Sequence, residues 1–273
     1  MNDEQWVTNR AMAKKGLVCL VVVLALAGAV FRSQAQSAQT TETLLLGNQL
    51  YEDGRFAEAA QTYQQLVDGG LRNATLYYNL GNAYFKQGDV GRAILNYERA
   101  ARLAPRDADV RANLVLARTH AVDKYDTASA SAVNRLVELA RTWLTLNETA
   151  VLALSLWLFL GGLLLAYRHS GRGRRREGLQ YMLILTALLL AGLALSLGGR
   201  LYLERVRPQA VILAEEINVM SGPGEQYITE FTLHSGAEVA VLETRGNWAR
   251  LSLPGGELQG WAPEETLAVV NGE

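Results

Sequence analysis

The chain is poor in the side chains that most often carry chemistry. Its 273 residues include one cysteine, Cys19, and three histidines, His120, His169 and His234, which lie far apart along the chain. The histidines lack a metal-ligand spacing such as H-x-x-x-H, and neither a G-x-S-x-G nor a G-x-x-x-x-G-K motif occurs. We therefore expect no enzymatic activity, no catalytic residue, no metal site and no cofactor.

An excess of charge is also lacking, because 26 Lys and Arg balance 27 Asp and Glu to a net charge of −1. The balance is uneven along the chain. From Pro208 to Glu273 there are ten acidic residues and only two basic ones, Arg245 and Arg250, a net charge of −8. An acidic segment repels phosphate groups, so we expect no nucleic-acid partner.

The first apolar run has the form of an export signal. Gly16 to Phe31 is apolar, follows three basic residues, and precedes the small residues of Ser33-Gln34-Ala35. This pattern predicts a signal peptide at residues 1–35 with cleavage after Ala35, and the alternative is an uncleaved N-terminal anchor. Cys19 lies inside the run, so the cleaved chain would have neither a disulfide nor a thiol nucleophile.

Two further apolar runs, Ala150 to Tyr167 and Leu179 to Gly199, contain no charged residue. Each is about as long as a bilayer-spanning helix, which needs ~20 residues. They predict a transmembrane α-hairpin with spans at 148–167 and 179–201, embedded in a lipid bilayer. The alternative is a pair of buried helices in a soluble protein.

The loop predicted between the spans, 168–178, is rich in arginine. Short loops with this composition face the cytoplasm, so both outer ends of the hairpin are expected on the extracytoplasmic side of the bacterial inner membrane. An RNA site or a lipid-headgroup site is the alternative use of such a loop. The arginines are Arg168, Arg172, Arg174, Arg175 and Arg176.

A period of 34 residues runs through the segment 40–107. It predicts two helical hairpins, at 40–73 and 74–107, followed by a cap helix at 108–121 with Val110, Leu114 and Ala117 facing inward. Glycines between the helices accept φ > 0, and small residues let the paired helices approach closely. The residues that repeat are Gly47 and Gly81, Gly54 and Gly88, Ala59 and Ala93, and Tyr63 and Tyr97.

These segments resemble the tetratricopeptide repeat family, and the resemblance implies a protein-binding groove on the first helix of each repeat. Asn48 and Asn82 are equivalent positions, where the family's asparagine can hold a peptide backbone or a terminal carboxylate. The lysine of a carboxylate clamp is missing, since Leu44 and Tyr78 occupy its position. The contacts implied are Asn48, Tyr51, Tyr78, Asn79, Asn82, Phe85 and Lys86.

The segment 122–147 is predicted to link the repeats to the first span. Within it, apolar residues recur at helical spacing from Ser129 to Leu146, with Trp143 near the end. This favours an interfacial helix that leads into the membrane. The apolar positions are Val133, Leu136, Val137, Ala140 and Leu144.

After Pro208 the pattern changes to short strands separated by Gly, Pro or Asn turns, which predicts a small all-β barrel at 208–270. The run Asn218 to Gly224 (NVMSGPG), the pair Asn247-Trp248 and the pair Gly260-Trp261 resemble the bacterial SH3-like family. That resemblance implies a cell-wall (peptidoglycan) ligand, for which Tyr227, Trp248 and Trp261 are the candidates. The alternative role for the two tryptophans is core packing.

The order of these parts resembles the BatE family of the Bacteroides aerotolerance operon. The fold class expected is a multidomain membrane protein with all-α tetratricopeptide helical repeats, a transmembrane α-hairpin and a small all-β SH3-like barrel. The resemblance implies protein partners among the von Willebrand A-type membrane proteins of the same operon, and a role in aerotolerance or envelope stress. We therefore expect a non-enzymatic membrane-anchored scaffold, and the alternative is a cell-wall sensor or tether.

Overall fold

The computed structural model describes residues 39–124, 145–171, 173–256 and 258–271. The predicted signal peptide, Arg172 and most of the predicted linker 122–147 lie outside the described residues. The chain divides into two compact units, Met1–Leu71 and Arg72–Glu273.

The first unit contains a helical hairpin. Residues 39–52 form α1, and α2 spans Phe56–Asp68. Gly54 joins the helices with φ of 76°, a left-handed conformation that glycine adopts at no steric cost. A Cβ added to Gly47 would lie 2.8 Å from Cδ1 of Tyr63, whose side chain is buried, so the glycine allows the ring to pack directly on α1.

The second unit begins with three helices, α3 (Ala74–Gln87), α4 (Val90–Leu103) and α5 (Ala108–His120). A capping side chain starts each one, as when Asn73 accepts a hydrogen bond from the backbone N–H of Leu76. Gly81 repeats the close contact of the first unit, because its added Cβ would lie 2.8 Å from Cδ1 of Tyr97. The inward face predicted for α5 is confirmed, since Val110, Leu114 and Ala117 are buried.

Two long apolar helices follow, α6 (Leu146–His169) and α7 (Arg174–Val206). The stretches Asn147–His169 and Arg174–Tyr202 are long and apolar enough to cross a membrane, each with a mean hydropathy of 2.2. Thr145 and Glu148 form the capping box that their spacing predicts.

The turn between these two helices is shorter than the predicted loop 168–178. Arg168 lies in the last turn of α6, and Arg174 begins α7. Arginine is a good helix former and is favourable near a helix C-terminus, so both helices extend into the predicted loop.

Seven antiparallel strands form the C-terminal part of the second unit. Their order in the sheet is β3-β2-β6-β5-β4-β1-β7, so β3 and β7 lie at its ends. The sequence pattern predicts neither of these two strands, because every residue of β7 is half-buried and β3 has only one buried residue, Leu233, which leaves no strong alternation. The five strands that it predicts are Val211–Ala214, Ile217–Met220, Glu238–Glu243, Trp248–Leu253 and Leu258–Ala262. The strands are β1 (Gln209–Ile212), β2 (Glu216–Met220), β3 (Thr229–His234), β4 (Glu238–Arg245), β5 (Trp248–Ser252), β6 (Gln259–Pro263) and β7 (Leu267–Val269).

The sheet packs against α4 and α5, a contact that the sequence analysis did not predict. Val211 and Val270 join Ile94 and Ala121 in one buried apolar cluster. Gly91 permits the approach, because a Cβ there would lie 2.9 Å from the carbonyl oxygen of Ile212. The second repeat and the sheet therefore form one packed body within the second unit.

Arg99 of α4 forms hydrogen bonds to the backbone at the end of the sheet. Its Nε donates to the carbonyl of Val270 and its Nη2 to the carbonyl of Val269, both at 3.2 Å. The guanidinium also lies over the ring of Tyr77, with 5.7 Å from Cζ to the ring centroid. Burial lowers the pKa of the Arg99 guanidinium, and nearby Tyr77 acts in the opposite direction.

The Gly81–Tyr97 contact is tested by Gly81→Ala. The added methyl forces the ring to move, so we expect the free energy of unfolding to fall by about 1–3 kcal/mol. Chemical denaturation in detergent, followed by far-UV circular dichroism, measures the change. Gly162→Ala is the control, because its added Cβ meets nothing within 4 Å. Equal stability of the two variants would contradict the packing described.

The role of Arg99 is tested by Arg99→Met. The variant leaves two carbonyls of partly buried hydrogen bonds without their donor, which we expect to cost about 1–3 kcal/mol of stability and to speed amide exchange at residues 267–270. Hydrogen–deuterium exchange measures this directly. Arg102→Met is the control, because the bond from Arg102 to Oε1 of Gln209 is exposed. Exchange at 267–270 that is no faster than in the control would rule out this role.

Candidate partner-binding site

The same asparagine–tyrosine hydrogen bond occurs in both repeats. The hydroxyl of Tyr63 donates to Oδ1 of Asn48, and the hydroxyl of Tyr97 donates to Oδ1 of Asn82, each at 2.7 Å. Both tyrosines are 1% exposed, so each hydroxyl needs a partner inside the repeat. The two asparagines predicted to bind a partner therefore also complete the core of their own repeats.

Asn113 of α5 extends this network in the second repeat. Its Nδ2 donates to Oδ1 of Asn82 at 2.9 Å and to the hydroxyl of Tyr78 at 3.1 Å. The Tyr78 ring lies beside that of Tyr97, with 6.1 Å between centroids. Asn113 is not among the predicted contacts, although it lies one repeat length after Asn79 and so occupies the same position in the next helix.

Phe85 and His120 form the second contact between α3 and α5. Their rings meet edge to face, with 5.2 Å between centroids and an interplanar angle of 88°. Nδ1 of His120 lies 2.9 Å from the carbonyl oxygen of Leu116, which fixes the ring on its own helix. We call the surface formed by Tyr78, Asn82, Phe85, Asn113 and His120 the α3–α5 face.

The α3–α5 face retains hydrogen-bonding capacity. The contacts within it use Oδ1 of Asn82 and Nδ2 of Asn113, both in half-buried side chains. Among the described residues, no bond is formed by Nδ2 of Asn82 or by Oδ1 of Asn113. One amide donor and one amide acceptor thus remain on two side chains that are hydrogen-bonded to each other, and a peptide group offers the complementary C=O and N–H.

The other predicted contacts of the second repeat border this face on α3. Lys86 is exposed next to Phe85, and Asn79 is half-buried one turn before Asn82. In the first unit, Tyr51 packs edge to face on Phe56, with 5.1 Å between ring centroids. That unit also has an open cleft of about 380 Å³ whose lining includes none of the predicted contacts.

The three ligand candidates of the sheet lie in different environments. Trp261 is 6% exposed and lies under the guanidinium of Arg245, whose Cζ is 5.3 Å from the ring centroid. Trp248 is half-buried at the start of β5. Tyr227 is 44% exposed, and its ring packs on Gly222. Of the three, only Tyr227 is an exposed residue.

The arginines predicted to set the topology lie at the turn between α6 and α7. Arg168 lies before this turn on α6, and three arginines follow it on α7, namely Arg174, Arg175 and Arg176. The guanidinium of Arg176 lies over the ring of Tyr167, with 4.7 Å from Cζ to the ring centroid.

Catalytic or metal-binding constellations are not evident in the part of the chain that the structure describes. Within those residues, no group of three or more His, Cys, Asp or Glu side chains is placed to hold a metal ion.

Comparison with known families locates one match, the tetratricopeptide repeat, at residues 44–108. A comparison with curated proteins found no match. The matched residues run from α1 to the first residue of α5 and include both asparagine–tyrosine pairs. Residues 44–108 therefore match the tetratricopeptide repeat, a type of domain that typically binds proteins and is non-catalytic.

Proposed function

We propose that this protein is a non-enzymatic adaptor, anchored in a membrane by α6 and α7, that binds a protein partner through the α3–α5 face. The observation that carries the proposal is the Asn82–Asn113 amide pair within a tetratricopeptide region. Its available donor and acceptor suit the backbone of a polypeptide, and the neighbouring aromatic rings suit its side chains.

Membrane anchoring is supported by the surfaces of the two apolar helices. Trp157 is 61% exposed and Leu195 is 79% exposed, and many of the leucines around them are exposed as well. Contiguous apolar surface on this scale needs a cover that is not water, and a bilayer provides it for helices of this length.

Two observations support the proposed topology, the first for the extracytoplasmic side and the second for a side shared by both outer ends. The arginines at the turn favour a cytoplasmic position for it, which sends both outer ends of the hairpin to the opposite side. Independently, the sheet packs on α4, so the segments before α6 and after α7 must lie on the same side of any membrane that the two helices cross. A hairpin of two spans meets that requirement.

The resemblance to the BatE family supplies the class of partner. We propose a membrane protein with a von Willebrand A-type domain, in an aerotolerance or envelope-stress complex. Cell-wall binding by an SH3-like domain is the alternative, and it would depend mainly on Tyr227, because Trp261 is buried.

The partner site is tested by Asn113→Ala and, separately, by Lys86→Glu in the full-length protein. Asn113→Ala removes one amide of the pair and keeps the Tyr97–Asn82 bond, while Lys86 is exposed and its replacement leaves the core intact. Co-purification after cross-linking in native membranes should lose the partner by about tenfold or more, equivalent to ~1.4 kcal/mol.

Lys124→Glu is the charge-matched control for that experiment, because Lys124 is exposed outside the α3–α5 face. It should keep the partner at the level of the parent protein. Unchanged co-purification by both test variants would refute the assignment of this face.

The membrane topology is tested with single cysteines on a Cys19→Ser background, since Cys19 is the only native cysteine. A membrane-impermeant maleimide added to intact spheroplasts should label Glu264→Cys in the exposed turn after β6 and leave Gly171→Cys unlabelled until the membrane is opened. Both sites are exposed, so each serves as the control for the other. Labelling of Gly171→Cys from outside would reverse the proposed orientation.

A further inference from the structure

Three arginines lie where the apolar part of α7 ends. Its uncharged run stops at Gly199, and Arg200, Arg205 and Arg207 follow. The side chains of Arg205 and Arg207 are exposed, and within the described residues neither of them forms an ion pair. This end of α7 therefore presents positive charge directly beside the apolar surface of the helix.

The C-terminal end of α4 contributes two further arginines to the same region. Nη2 of Arg102 donates to Oε1 of Gln209 at 2.8 Å, two residues after Arg207. Arg106 forms an ion pair with Glu148, which lies in the first turn of α6. Helix α4 thus reaches both the end of α7 and the start of α6. We call this set of arginines the basic collar, formed by Arg102, Arg106, Arg200, Arg205 and Arg207.

The length of the apolar run indicates the depth of the basic collar in a bilayer. From Leu179 to Gly199 the helix extends about 31 Å, which matches the ~30 Å hydrocarbon core of a bilayer. Arg200 follows directly, and Arg205 lies about 7.5 Å further along the axis. The layer of lipid headgroups is about 5–8 Å thick on each side of the core, so these arginines span it. Tyr202 lies between them and is 64% exposed, and tyrosine is enriched in this layer.

The charge of the basic collar suits phosphate groups rather than neutral headgroups. Its five arginines are accompanied by two acidic residues, Glu148 and Glu204, which leaves a net charge of +3. Arginine binds phosphate oxygens through two parallel hydrogen bonds from its planar guanidinium. Beside the hydrocarbon core, water screens such contacts less than it does at an ordinary protein surface.

We propose that the basic collar binds the phosphates of anionic phospholipids in the leaflet next to the folded parts. Bound lipids link the end of α4 to the end of α7 and hold the second unit close to the membrane surface. The proposal rests on the membrane anchoring in the proposed function, but neither on the orientation of the hairpin nor on the α3–α5 face.

The proposal is tested with the full-length protein in phosphatidylcholine vesicles that contain spin-labelled phosphatidylglycerol or spin-labelled phosphatidylcholine. Electron paramagnetic resonance separates the lipids restricted beside the protein from the bulk lipids. The parent should prefer phosphatidylglycerol by about twofold or more. Arg205→Gln with Arg207→Gln should lose about half or more of this preference, because two exposed cations are removed. The arginines at the turn between α6 and α7 also attract anionic lipids, but they are the same in every variant.

Arg92→Gln with Lys124→Gln is the charge-matched control. Both residues are exposed. Arg92 lies in the first turn of α4, about 15 Å along the axis from Arg102, and Lys124 follows the C-terminal end of α5. The control should keep the lipid preference of the parent.

Hydrogen–deuterium exchange locates the effect and distinguishes the source of the phosphate. Amides of residues 200–207 should exchange more slowly in vesicles of phosphatidylglycerol than in vesicles of phosphatidylcholine. Inorganic phosphate added to the phosphatidylcholine vesicles should not reproduce this protection, because a free anion is not held in the headgroup layer.

The outcomes separate this proposal from the membrane anchoring on which it rests. Protein that leaves phosphatidylcholine vesicles in an alkaline carbonate wash contradicts the anchoring and the basic collar together. Protein that stays in the vesicles but shows no preference for phosphatidylglycerol overturns the basic collar alone. So does a preference that survives Arg205→Gln with Arg207→Gln, or one that the control loses equally. Protection by inorganic phosphate would identify a free-anion site instead of a lipid site.

Discussion

Helix α4 is buried on two sides, and the second unit is organised around this constraint. On one side, Tyr97 packs on Gly81 and brings α4 against α3. On the other side, Ile94 meets Val211 of the sheet, and Arg99 holds the carbonyls of the last strand. A helix in this position requires small residues wherever another backbone approaches, which explains the glycines at its contacts.

The repeat architecture could be predicted because it is encoded locally. Tyr97 lies one repeat length after Tyr63, and the glycines and helix caps keep the same phase, so one hairpin predicts the other. The two apolar helices follow from composition and length alone. The strands of the sheet interior were predicted for the same reason, since alternation such as Ile217 and Val219 directed inward is visible within a few residues.

What escaped the sequence analysis depends on residues that are distant along the chain. Nothing near Ile94 indicates that a strand residue such as Val211 will cover it, because apolar residues on a helix surface fit many partners. The hydrogen bond between Asn113 and Asn82 could not be predicted either. An asparagine on a cap helix has the polarity of a surface residue, and its partner lies 31 residues away along the chain. The repeat phase shared by Asn79 and Asn113 was the available signal. The strands β3 and β7 were not predicted because strands at the edge of a sheet need only part of a hydrophobic pattern.

The asparagines of the repeats show how a residue that we propose for partner binding also stabilises its own repeat. Asn82 uses its oxygen to accept hydrogen bonds from Tyr97 in the core and from Asn113 of α5. The side chain is therefore rigid before any partner arrives, which reduces the entropy lost on binding. In the first unit, Asn48 is held by Tyr63 in the same way.

The packing of the sheet on α4 has a consequence for biogenesis. Ile94 emerges from the ribosome long before Val211 and Val270, with both apolar helices synthesised in between. The outer side of α4 must therefore remain exposed until the end of the chain has been synthesised and delivered to the same compartment. During that interval the nascent protein exposes an apolar surface, which favours aggregation or chaperone binding. Burial of that surface is therefore complete only when the whole second unit has been synthesised.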